Sequence, residues 1–215
     1  MQFDTAGYLR KATSRAKSDV ANKLISMLLH EISRRVVGVV GMGVTDAVYT
    51  RDVVATFGDR CGYCQRVLES GHTSVEHMEG MNRFRIGLHV PGNVIVACKQ
   101  CNGSKRRDDQ LPTLILAESG WESFLNHDGT RCHSSCKTCG YWQTVWPDFS
   151  ERTDRLRSAV QRIRAFRESY KSSDEWSIRI RASIKTKTGL LYRECQNSVH
   201  LQIQTLAAEL FQEMR

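Results

Sequence analysis

Proline is scarce in this chain, with three in 215 residues, at 91, 112 and 147. Long helices can therefore form over most of its length, and each proline falls near the edge of an expected element. A long apolar run is also missing. The longest, Val36 to Val44, carries glycines at 38, 41 and 43 and is too short to span a bilayer. The first residues, Met1-Gln2-Phe3-Asp4, run directly into charged sequence and show no secretory pattern. No internal repeat or low-complexity linker is visible. Acidic residues are the minority, 23 against 31 Lys and Arg, for a formal net charge of +8. That excess favours a polyanionic partner such as nucleic acid, with a merely basic soluble protein as the plain alternative. The expected location is cytoplasmic, with no membrane partner.

Helical periodicity dominates both ends. Residues 7–36 predict one amphipathic helix, with Val20, Leu24, Ile25, Leu28, Leu29, Ile32 and Val36 on its apolar face. Glycines 38, 41 and 43 are expected to end it. Its apolar face suits either the core or a second protomer. Thr50 is expected to cap a short helix leading to Cys61. Val94-Ile95-Val96-Ala97 reads as a compact strand ending at Cys98, and a helix is expected from Asn102. Residues 113–125 predict a helix ending at Asn126. After Pro147, Leu156, Val160, Ile163, Phe166 and Tyr170 mark one helical face, and Val199, Ile203, Leu206, Leu210 and Phe211 mark another. Arg152, Arg155, Arg157, Arg162, Arg164 and Arg167 crowd the first of these helices, as a solvated face or a surface for a DNA backbone. Four regions follow: an N-terminal helical region 1–50, a core 51–110, a Cys-rich region 111–148 and a C-terminal helical region 149–215. The fold class is α+β, a zinc-stapled centre within a mainly helical shell.

Eight cysteines are present, and in a reducing compartment clustered thiols read as metal ligands. Cys61-x2-Cys64 and Cys98-x2-Cys101 form two knuckles of the spacing that wraps tetrahedral zinc. A second cluster, Cys132-x3-Cys136-x2-Cys139, needs a fourth donor. His127 is the nearest, with His133 and Cys195 as alternatives. Trp121, Tyr141, Trp142 and Trp146 are expected to pack over it.

Between the knuckles stands Glu76-His77, and just past the second stand Asn102 and Lys105. Together with Gly87 and Asn93-Val94, these elements resemble, in order and spacing, the HNH endonuclease family and its ββα-metal fold, over residues 57–107. The likeness is nearest to stand-alone restriction-type enzymes. It implies that His77 is the general base and that Asn93 holds the loop orienting it. Glu76 and Asn102 then bind a catalytic Mg²⁺ or Mn²⁺, and Lys105 faces phosphate. Glu stands where the family usually has Asp, and Asn102 makes this an H-N-N variant. The resemblance further implies double-stranded DNA as partner and a homodimer, since cutting two strands with one site per chain takes two chains. Independently of the family, an imidazole, a hard cation site and basic side chains are what phosphodiester hydrolysis requires. Lys99, Lys105, Arg106 and Arg107 are the expected DNA contacts. Arg83 and Arg85, alternating about Phe84 as on a strand edge, join them. His89 is a rival base. Competing readings are a non-catalytic zinc-dependent DNA-binding module and an RNA-directed nuclease or toxin.

Overall fold

The computed structural model describes residues 5–104 and 143–213. It is mostly helical, with one small two-stranded sheet. Helix α1 spans Thr5–Val40, α2 Ala47–Phe57, and strands β1 and β2 Thr73–His77 and Val94–Cys98. Helices α3 (Lys99–Ser104), α4 (Phe149–Glu168) and α5 (Lys171–Glu213) follow. No described helix is long and apolar enough to cross a membrane.

In α1, Ala21, Ile25 and Leu29 recur every four residues, so they share one face, and all three are fully buried. Ser33 continues the row, its hydroxyl donating to the Leu29 carbonyl at 2.5 Å. Val20 is exposed rather than part of this face. Gly38 does not stop the helix, which ends at Gly41, where φ is +76° and the N–H reaches the Val37 carbonyl at 2.8 Å. A left-handed residue just past the last turn suits glycine. Helix α2 starts after Asp46 rather than at Thr50, which lies inside it.

Helix α5 packs along α1. Its buried positions include Ser173, Ser177 and Thr188, and Tyr192 joins the core shared with α1. Ile86, Leu88 and Val90 from the loop between the strands complete this core. A second core joins α2, the sheet and α4, through Tyr49, Val53, Phe57, Ile95, Val160, Ile163 and Phe166. The sheet belongs to this second core, through Val94, Ile95 and Ala97. At the far end of α5, Leu201, Ile203, Leu206 and Leu210 are exposed among the described residues, rather than forming a packed face.

Strands β1 and β2 pair antiparallel, with Thr73 opposite Cys98 and His77 opposite Val94. Helix α3 begins immediately after β2, at Lys99, so Asn102 lies within it rather than at its start.

Candidate functional site

The four knuckle cysteines, 61, 64, 98 and 101, are all buried, and their sulfurs lie within 4.8 Å of one another. Tetrahedral Zn–S bonds of about 2.3 Å place sulfurs about 3.8 Å apart. Cys64 and Cys98 Sγ are 3.9 Å apart, which fits. The Cys98 N–H points at Cys61 Sγ (3.3 Å) and the Cys101 N–H at Cys98 Sγ (3.4 Å), the donors that thiolates require. Hydrogen bonds from Cys101 and Cys64 hold the Cys61 thiol below the ordinary range. Crowding by Cys61, Cys64 and Cys98 drives Cys101 far above it. A divalent cation would supply the missing counter-charge, and this donor set can hold a metal ion such as zinc.

The knuckles close on the sheet, and the sheet carries the acid–imidazole pair. Glu76 is 3 % exposed, and its Oε1 accepts from the Tyr63 hydroxyl at 3.2 Å. Burial, and then the Glu76 charge, pushes the Tyr63 phenol well above its usual value, so it remains a donor. His77 follows at the end of β1 and is half-buried. Its Nε2 lies 2.8 Å from His89 Nδ1. Asn102 Nδ2 donates to Ser74 Oγ at 3.0 Å, which fixes the orientation of the amide.

Glu76, His77 and Asn102 line one open cavity of about 400 Å³. Its opposite wall is α1, which brings Asp19, Asn22, Lys23 and Ser26.

Asn93 works on the loop joining the strands. Its Oδ1 accepts from the Glu79 N–H at 2.7 Å, and its Nδ2 donates to the carbonyls of Leu88 (2.7 Å) and Glu79 (3.1 Å). One side chain thus ties both ends of the loop together. Glycine at 87 is required there, because an added Cβ would fall 1.8 Å from the Glu79 carbonyl oxygen.

Arg83 and Arg85 stand in a turn, not on a strand edge. Asn82 Oδ1 accepts from the N–H groups of Phe84 (3.0 Å) and Arg85 (2.9 Å) and bends the chain there. The Arg83 guanidinium is stacked over Phe84 and Tyr192, 4.1 Å from each ring centre, so it serves packing. Lys99 is exposed at the start of α3. In α4, Arg155 and Arg157 pair with Glu151 and Asp154, and Arg167 pairs with Asp174 of α5. Arg152 is buried, donating to the Trp146 and Pro147 carbonyls. Trp146 packs at the first knuckle, its indole N–H donating to the Cys64 carbonyl at 2.6 Å.

His30 escaped the sequence reading. It projects from α1 to within 5.5 Å of the His89 ring and 6.5 Å of His77, centre to centre. Its one sequence signal is position, one residue past the buried Leu29. Lys105, Arg106, Arg107, His127, His133, Cys132, Cys136, Cys139, Trp121, Tyr141 and Trp142, and the 113–125 helix, lie outside the described residues. Cys195 is half-buried on α5 against the α1 core.

No family model, no curated protein and no solved structure matches this chain.

Proposed function

We propose that this protein is a metal-dependent DNA endonuclease of the HNH type, serving restriction or phage defence. The observation that carries the reading is one cavity lined together by Glu76, His77 and Asn102, next to the four-cysteine cluster. The chain order of two antiparallel strands and a helix, with a knuckle before the first strand and another spanning the second strand's end, supports the ββα-metal resemblance.

His77 takes a proton from the attacking water. An imidazole is suited to this at neutral pH, where its ordinary pKa of about 6.5 leaves the neutral form abundant. Asn93 keeps the loop behind His77 closed and so keeps His89 against it. Lys23 at the cavity wall and Lys99 at the head of α3 meet the phosphate backbone, and Lys105, Arg106 and Arg107 continue that basic run in sequence. A divalent cation on the oxygens of Glu76 and Asn102, hard donors suited to Mg²⁺ or Mn²⁺, would supply positive charge for the phosphoryl and leaving oxygens. The knuckles would hold a structural zinc. A pair of chains would serve the two strands of a duplex.

Incubating supercoiled plasmid with zinc-loaded protein and Mg²⁺ tests this. Wild type is expected to nick or linearise it, and His77→Ala to cut slower by about 10²–10⁴-fold while still binding. Equal binding with no cleavage under any divalent metal makes the chain a zinc-dependent DNA-binding module instead. Cleavage of RNA but not DNA makes it an RNA-directed nuclease.

A further inference from the structure

The contact between His77 Nε2 and His89 Nδ1, at 2.8 Å, is a hydrogen bond between two imidazoles. Two neutral rings can make it in only two senses, because each carries one N–H and one lone pair. If His89 donates, His77 accepts at Nε2 and carries its own proton on Nδ1. His77 then has no lone pair to offer water. If His77 donates from Nε2, its lone pair is on Nδ1, which is the form a general base needs. His89 then accepts at Nδ1 and carries its proton on Nε2.

Resting on the nuclease reading, we propose that His89 is not a rival base but the positioning residue of His77, accepting the His77 Nε2–H and so fixing its ring and tautomer. A base held in turn by a second group is a general arrangement of activated imidazoles. Here the second group is neutral, so it orients His77 without adding a charge beside the phosphate.

The surroundings of His89 suit an orienting part. Its backbone N–H donates to Ser33 Oγ at 2.8 Å, and the Ser33 hydroxyl in turn donates to the Leu29 carbonyl, so the residue's main chain is fastened to α1. Its neighbours Leu88 and Val90 are fully buried and hold the backbone on both sides. Burial, and then the nearby His30, lowers the proton affinity of His89, which favours the neutral acceptor. His89 borders an apolar cleft formed by α2 and the sheet, whereas His77 lines the cavity of Glu76 and Asn102. The two rings thus meet between separate openings, and only His77 fronts the candidate cation site.

Three substitutions test the assignment. His89→Asn keeps an acceptor oxygen at the place of Nδ1, His89→Gln moves it one bond further out, and His89→Leu removes it. Plasmid cleavage by His89→Leu and His89→Gln is expected to fall about 10–100-fold in kcat with KM for DNA nearly unchanged. His89→Asn is expected to stay within several-fold of wild type. Imidazole ¹⁵N spectra of the zinc-loaded protein, without DNA or Mg²⁺, give an independent readout. They should show His77 protonated at Nε2 in wild type and His89→Asn, and a mixture of tautomers in His89→Gln. Wild-type His77 protonated at Nδ1, or His89→Leu cutting at the wild-type rate, overturns the proposal. If wild type cuts nothing, the nuclease reading falls, while the spectra still decide whether His89 fixes His77. If His89→Leu does not fold, the contrast between Asn and Gln carries the test.

Discussion

Glu76 is one methylene longer than aspartate, and its burial shows where that length goes. The carboxylate sits in the interior against the Tyr63 hydroxyl while still lining the cavity. Removing that hydroxyl with Tyr63→Phe strips a donor from a buried carboxylate. A loss of about 1–3 kcal/mol is expected in denaturant melts. Tyr49 makes a different case. Its hydroxyl donates to the Val94 carbonyl and accepts from the Gly92 N–H, so it pins the entry to β2. Burial pushes its pKa from an ordinary 10 up to about 12. Between those values the folded chain keeps a proton that the unfolded chain has lost, so stability falls as pH rises above about 10. The expected loss is on the order of 2–3 kcal/mol by pH 12, read from melts alongside phenolate absorbance, and Tyr49→Phe should abolish that component. Cysteine spacing was the most legible residue-scale signal, because two residues between thiols is already the local geometry of a knuckle. His30 was the least legible. Nothing on α1 says which imidazoles, about fifty residues ahead in the chain, it will meet.

Elements were legible where their determinants are local. The strand from Val94 came from its compact apolar run ending at Cys98, and the face of α4 carrying Val160, Ile163 and Phe166 came from helical periodicity. Misreadings arose where one residue type serves two ends. Glycines 38 and 41 look alike in sequence, yet only Gly41 adopts positive φ. Thr50 and Asp46 can both cap, and the first turn formed at Asp46. The alternation of Arg83 and Arg85 imitated a strand because Asn82, which makes the turn, precedes it. The glycines offer a paired experiment. A Cβ at Gly38 meets nothing within 4 Å, so Gly38→Ala should stabilise by about 0.5–1 kcal/mol through α1. Gly87→Ala drives a methyl into the Glu79 carbonyl and should cost at least about 1–3 kcal/mol in denaturant melts. It should also slow cleavage, because the loop that carries His89 must shift. Ile86, beside it, holds φ at +52°, a costly conformation for a β-branched residue.

At the scale of the whole molecule, the cysteine cluster staples segments more than thirty residues apart and encloses β1 between its halves. Structural zinc in such sets contributes about 10–16 kcal/mol of apparent binding energy, comparable to the stability of a whole domain. Cys101→Ser or a strong chelator should therefore unfold the centre cooperatively, seen as loss of near-ultraviolet dichroism with α-helical signal partly kept. Elemental analysis should give one zinc per chain for the described cluster, and a second if Cys132, Cys136 and Cys139 bind one as well. The packing of α1 on α5 has a consequence in time. A chain leaving the ribosome has released Glu76, His77, His89 and Asn102 before any of α5 exists. Until α5 emerges, the α1 wall of the cavity lacks the helix that packs along it and is held by the loop residues Ile86, Leu88 and His89. The last segment synthesised thus completes the cavity wall that the first one supplies.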